Sequence, residues 1–204
     1  MPVALGDAYA TPDELRRRQG IPDGNTYVEA DLEDALLTAS RAVDEWCGRT
    51  FGRAEVVSVR AFPVHPRGVD TDDFWTTDGL AVGGTAWTPA TTGYVLEPVN
   101  GVVNGLPGWP YSSLSTAGSG RGIIWPELTV LGPARVEVAA RWGWAEVPSA
   151  VKSATLMLAA EELKLKDTTF GVAGFGDYAI RVRSNPKVAE RLAPYRKHPL
   201  LVGS

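Results

Sequence analysis

Thiols and imidazoles are scarce in this chain, with one cysteine and two histidines among 204 residues. Cys47 has no second thiol to pair with, so an intrachain disulfide is excluded and nothing points to an oxidising compartment. His65 and His198 lie far apart, each beside a proline, and supply no cluster with the ligand spacing of a zinc site. No window approaches the ~20 apolar residues of a membrane span. The N-terminus lacks the basic start and apolar run of a secretory signal, so the expectation is a soluble protein made in a cytoplasm. There is no Gly-x-Ser-x-Gly elbow, and a Ser/His/Asp triad would have to be invented. No catalytic, metal-binding or cofactor-binding residue is nominated, and the expectation is a protein that is not an enzyme.

What is present is ample for a core. Hydrophobic residues make up 44% of the chain, and the length suits one domain or a small core with one elaboration. The net charge of −4 is unevenly spread. Residues 1–50 carry ten acids and five bases, 51–150 nine acids and six bases, and 151–204 five acids and nine bases. An acidic front and a basic back are either two solvated faces or complementary edges of neighbouring subunits in a ring.

The strongest helix signal runs over 148–166. Pro148 suits a first turn, and Val151, Ala154, Leu158 and Glu162 form a stripe widened by Ala150, Leu156, Ala159 and Leu163. That breadth predicts burial on more than one side. Upstream, Thr11-Pro12-Asp13-Glu14 reads as a capping box opening a short helix over 12–19 that Gly20 ends. Its Arg16-Arg17-Arg18 suits either phosphate or, more simply, the negative end of the helix dipole. A second helix, 29–47, carries Leu32, Leu36, Ala39, Val43 and Trp46 at near-heptad spacing and stops at Gly48. Cys47 borders that stripe as a buried thiol. Asn185-Pro186 opens a last helix over 186–193, with Val188 and Leu192 inward.

Between these helices the period changes to two. Val57, Val59 and Ala61 alternate with Ser58, Arg60 and Phe62. Residues 94–96 and 122–125 read as shorter strands. Along 135–142, Val136, Val138, Ala140 and Trp142 alternate with Arg135, Glu137 and Arg141. The stretches 101–108 and 112–122 read as long loops. Tyr178, Ile180 and Val182 suggest one further strand or arm. The fold class expected is α+β, a small helical bundle with an inserted antiparallel β unit: 1–52 and 146–204 form the bundle, 53–145 the insert.

Three fragments imitate functional motifs. Asp70-x-Asp72-Asp73 resembles part of a calcium loop without its ordered glycine and terminal glutamate; with His65 it is also the only candidate for a hydrolase. Gly171-Val-Ala-Gly174-Phe-Gly176 lacks the Lys-Ser/Thr of a phosphate loop and follows a helix instead of opening one. Six of the seven tryptophans (75, 87, 109, 125, 142 and 144) fall in the insert. Exposed, they would make a carbohydrate- or protein-binding module; buried, they build the core of a small, loop-rich unit.

Taken in order, several blocks resemble the head-to-tail connector (adaptor, or head-completion) proteins of long-tailed bacteriophages. They are Tyr9-Ala-Thr-Pro-Asp-Glu-Leu15, Ala39-Ser-Arg-Ala-Val-Asp-Glu-Trp-Cys-Gly-Arg-Thr-Phe51, Trp142-Gly-Trp144 with Val147-Pro-Ser-Ala-Val-Lys-Ser-Ala154, and Phe170-Gly-Val-Ala-Gly-Phe-Gly176 through Leu192-Ala-Pro-Tyr-Arg196. The resemblance covers both ends and not the middle. It implies a structural virion protein of the neck, assembled in the bacterial host cytoplasm into a ring, typically of twelve, under the portal. Such a ring extends the DNA channel and docks the next neck or tail protein. It uses no cofactor, and genome DNA passes through without specific binding; the acidic net charge permits this, since a strongly basic lumen would hold phosphates. Candidate portal or subunit contacts are Phe170, Gly171, Gly174, Phe175, Gly176, Arg181, Arg183, Tyr195, Arg196 and Lys197.

Overall fold

The computed structural model describes residues 2–20, 28–65, 68–88, 94–116, 135–167 and 185–197. The chain divides into two compact units. Gly6–Gly52 and Glu146–Ser204 make a helical unit, and Pro2–Leu5 with Arg53–Ala145 make a β unit.

In the helical unit, α1 is Pro12–Gln19, α2 Glu29–Cys47, α3 Ser149–Asp167 and α4 Pro186–Leu192. The capping box expected at α1 is present: Thr11 Oγ1 accepts the Glu14 amide, and Glu14 Oε2 accepts the Thr11 amide. Gly20 and Gly48 end α1 and α2 in the left-handed region, both at φ 64°, where a side chain is strained. Asn185 caps α4 by accepting the Val188 amide.

Packing follows the apolar stripes. α3 lies along α2 and also touches α1 and α4. Three neighbours explain why Val151, Ala154, Thr155, Leu158, Ala159, Ala160 and Leu163 are all buried although they surround the helix. On α2 the buried set is Leu32, Ala35, Leu36, Ala39, Ser40, Ala42, Val43 and Cys47. The hydroxyls among these residues are satisfied within their own helices. Ser40 donates to the Leu36 carbonyl at 2.7 Å and Thr155 to that of Val151 at 3.1 Å. Val188 and Leu192 of α4 are fully buried, as their spacing predicts.

The β unit is a six-stranded antiparallel sheet with the path β1-β8-β2-β7-β4, β3 pairing with β2, plus a separate β5–β6 hairpin. The strands are β1 Ser58–His65, β2 Gly68–Val82, β3 Thr85–Ala86, β4 Tyr94–Glu97, β5 Val102–Val103, β6 Leu106–Pro107, β7 Tyr111–Thr116 and β8 Arg135–Trp142. β8 comes last in sequence yet lies between β1 and the C-terminal half of β2. One face carries the core of Val69, Phe74, Leu80, Val82, Leu96, Leu114, Val138, Ala140 and Trp142. Phe74 meets Trp142 edge-on at 6.2 Å between ring centroids.

Two expectations need correction. Residues 112–116 lie not in a loop but in β7, a central strand between β2 and β4. The stretch 101–108, read as a loop, contains the β5–β6 hairpin. The fragment Asp70-x-Asp72-Asp73 belongs to β2. The strands expected at 122–125 and 178–182 lie outside the described residues.

Candidate interaction surfaces

The basic C-terminal segment is the first candidate. After α4, a 3₁₀ turn over Ala193–Tyr195 leads the chain back across the end of α2. The Lys197 amide donates to the Cys47 carbonyl at 2.7 Å, satisfying an acceptor left over at that helix terminus. The Tyr195 ring meets Phe51 edge-on at 6.0 Å. The Arg196 guanidinium lies 4.7 Å from the centroid of the Trp46 ring, a cation–π contact that holds a charged, exposed side chain in place. Tyr195, Arg196 and Lys197 are therefore brought together at one end of the helical unit. Phe170, Gly171, Gly174, Phe175, Gly176, Arg181 and Arg183 lie outside the described residues.

Beneath this segment is a polar network that the residue pattern did not single out. The Tyr9 hydroxyl donates to Asp44 Oδ1 and accepts the Phe51 amide at 2.8 Å. The Tyr9 amide donates to Ser40 Oγ at 3.0 Å. Arg41 adds an ion pair to Asp44 at 3.3 Å, lies over the Tyr9 ring and donates to the Asp7 carbonyl. Burial pushes the Asp44 carboxyl up to about 6, opposed by the Tyr9 hydrogen bond and Arg41. Burial, reinforced by Asp44, drives the Tyr9 hydroxyl far above its usual range, so it remains a donor. The network pins the segment before α1 to α2.

The arginine triplet of α1 serves structure. Arg16 pairs with Asp13 at 3.1 Å and with Glu29, Arg17 Nε donates to the Asp13 carbonyl, and Arg18 reaches Ser153 Oγ at 3.4 Å. Burial lifts the Cys47 thiol to about 12, which keeps it protonated and inert near neutrality.

The β unit's acids go to separate partners. Asp70 faces His65 at 3.4 Å, Asp72 pairs with Arg60 at 2.6 Å, and buried Asp73 accepts the Trp144 indole N–H at 2.8 Å. Three carboxylates with three different partners do not make a catalytic set. Among the described residues no group of three or more His, Cys, Asp or Glu is arranged to hold a metal ion, and no helix is long and apolar enough to cross a membrane.

The described tryptophans of this unit pack inward. Trp142 and Trp144 are buried and Trp75, Trp87 and Trp109 half-buried; Trp125 lies outside the described residues. Trp109 packs at a tilt against Trp144, 5.1 Å between ring centroids, Arg53 lies over Trp75, and Arg60 over Trp142. Trp87 is partly buried against the core of the sheet. What the unit does expose is aliphatic: Val56, Val57 and Val59 around the start of β1, and Val99, Val102 and Leu106 at the hairpin.

No protein family and no curated protein matches the chain. Solved structures do. A chain in the neck of an empty GTA particle, computed with C6 symmetry, superposes with a TM-score of 0.50 at 19% identity, over 96% of this chain and 93% of that one. A chain in the virion of a native gene transfer agent (GTA) particle superposes with a TM-score of 0.55 at 17% identity, over 100% and 96%. The α+β fold seen here is thus shared, nearly end to end, with chains of those particles.

Proposed function

We propose that this chain is a structural protein of the neck of a phage-like particle, a head-to-tail adaptor that forms a ring under the portal and docks the next neck or tail protein. The observation that carries the reading is the match over 93% and 96% of the length of chains from a particle neck and a virion. Agreement over both units is more demanding than a shared helix bundle, which many functions use. The adaptor-like sequence blocks at the two ends agree with it.

In this reading the ring has twelve members, a number that accommodates the six-fold symmetry in which the similar neck was computed. The portal and neighbouring subunits meet the basic C-terminal segment, with Tyr195, Arg196 and Lys197 anchored at the end of α2 and Arg181, Arg183 and the glycine-rich stretch 170–176 preceding them in sequence. Genome DNA passes through the ring without specific contacts.

The experiment mixes purified chain with its portal and looks for rings on portal assemblies by electron microscopy. Rings are expected, and their consistent absence, together with no portal binding, would refute the adaptor role. Replacing Arg181, Arg183, Arg196 and Lys197 together by serine tests the contact segment. Loss of portal binding with helix content retained is expected. Deleting the whole segment is a poorer test, because it removes Val188 and Leu192 from the core.

A further inference from the structure

Where α1 and α4 meet α3, two guanidiniums converge on one hydroxyl. Arg18 Nη1 donates to Ser153 Oγ at 3.4 Å, and Arg191 Nη1 donates to the same oxygen at 3.2 Å. Arg18 stands in the last turn of α1, Arg191 in the last turn of α4, and Ser153 near the start of α3. Both arginines are exposed, and neither meets a carboxylate among the described residues. Arg16, Arg41, Arg53, Arg60 and Arg141 each do.

Two like charges that share one hydroxyl repel each other, and the neutral oxygen between them does not compensate. Each guanidinium has five N–H donors and gives one of them to Ser153. The remaining donors of two neighbouring forks suit an oxyanion, because a guanidinium takes a carboxylate in paired, parallel hydrogen bonds. A carboxylate placed here would also remove the repulsion between the two arginines.

The complementary groups stand on α2 of the same helical unit. Glu33 and Asp34 are exposed there and meet no cation among the described residues. Leu37, 42% exposed, follows them by four and three positions and so shares their side of the helix. On α3 the half-buried Met157 follows Ser153 by four positions, an adaptable apolar neighbour one turn from the hydroxyl. The acids and the arginines of one copy face apart. Arg16 and Arg18 lie about 200° apart around α1; Arg16 pairs with Glu29 of α2, and Arg18 turns to α3.

We propose that Arg18 and Arg191 of one copy of this chain receive the carboxylates of Glu33 and Asp34 from the next copy, with Leu37 set against Met157. The inference deepens the ring proposed above and rests on it. The two surfaces differ, so the contact is heterologous and propagates from copy to copy until a ring closes. Their opposite charges fix which surface meets which, since two acidic or two basic faces repel.

The test is a charge exchange in the full-length chain. One variant combines Arg18→Glu with Arg191→Glu, the other Glu33→Arg with Asp34→Arg. All four positions are exposed, and circular dichroism checks that both variants fold. Each variant alone is expected to form roughly tenfold fewer rings on portal than the wild type, and an equal mixture to restore them. In alternating order every junction of the mixture joins unlike charges, a rescue that local damage at either surface would not give. Wild-type ring yield from the Arg18→Glu, Arg191→Glu variant alone would overturn the proposal, as would a mixture no better than its parts.

A second measurement reads the contact without portal. Arg18→Lys with Arg191→Lys keeps both charges and supplies amines, which a zero-length carbodiimide joins to touching carboxylates as amides. Copies of natural and heavy nitrogen are mixed before coupling, so links between copies are recognised by mass. Links from positions 18 and 191 to Glu33 or Asp34 of another copy are expected, and their absence would count against the contact. The Lys152–Glu14 pair, 3.0 Å apart within one copy, is the internal control. Rings on portal with neither the links nor the rescue would sink this contact and leave the adaptor role standing. Links between copies without portal binding would do the reverse.

Discussion

The Tyr9 hydroxyl donates its proton to the Asp44 carboxylate and accepts the Phe51 amide on the same oxygen. One phenol thereby joins the segment before α1, the last turn of α2 and the chain leaving α2. Its ring also packs edge-on against Phe51, at 5.8 Å.

Tyr9→Phe keeps the ring and removes both hydrogen bonds, leaving a buried amide without its acceptor. The expected loss is about 1–3 kcal/mol. It would be read as a lower urea midpoint with an unchanged slope, and an unchanged midpoint would contradict the role given to the hydroxyl.

Asp44 makes part of the stability pH-dependent. Its carboxyl is raised from an ordinary 3.8 to about 6, so the folded state holds the proton more tightly than the unfolded state. The stability this contributes is fully present below the unfolded value and is lost as pH rises through the folded one, at most about 3 kcal/mol. Asp44→Asn abolishes the titration. The variant should gain on the wild type by about 1–3 kcal/mol between roughly pH 4 and pH 7. Urea unfolding at several pH values measures the difference, and a gap independent of pH would show the shift to be absent.

Gly68 lies against β7, where it pairs with Ser115. An added Cβ would sit 2.0 Å from the Leu114 carbonyl oxygen, a backbone atom that cannot swing away. Gly68→Ala should cost about 1–3 kcal/mol or separate β2 from β7 locally. Hydrogen exchange of the β7 amides distinguishes the two, and full stability with unchanged exchange would exclude both.

Cys47 is predicted to be silent toward Ellman's reagent in the native protein, being buried with its thiol raised to about 12. In concentrated guanidinium it should release about one equivalent of thionitrobenzoate at once. Rapid reaction in the native state would mean that the end of α2 opens readily.

The helices were legible because their signals are local. Thr11 and Glu14 lie three residues apart, Gly20 and Gly48 stand where the helices end, and the stripe on α2 repeats with the helical period. β8 was legible for the same reason, its apolar residues alternating cleanly. β2 and β7 were not. Gly-Val-Asp-Thr-Asp-Asp has the composition of a turn, yet Arg60, His65 and Trp144 engage its carboxylates from other parts of the chain. Tyr111-Ser-Ser-Leu-Ser-Thr has one strongly apolar residue, Leu114, which is fully buried, with Tyr111 packed against the core beside Phe74. Strand propensity measures fit to neighbours, and the neighbours are distant in sequence.

The interaction surfaces divide the same way. The basic character of the C-terminal segment is plain from composition, whereas its seat on Trp46, Cys47 and Phe51 required the fold. Alternation marked β1 as a strand but could not say which side faces water. The structure exposes Val57, Val59 and Ala61 and turns Phe62 and Val64 inward, because β8 presents Val136 and Val138 on that inner side.

By itself, then, the order of residues determined the α+β class, the helix ends and the scarcity of reactive groups, since caps, periods and composition act within a few residues of themselves. Tertiary structure decided that β8 lies between β1 and β2, that Trp142 and Trp144 are buried, and that Val59 and Leu106 stay exposed. Packing and strand pairing join residues far apart in sequence, Phe51 and Tyr195 among them, and no local pattern encodes which partner is met.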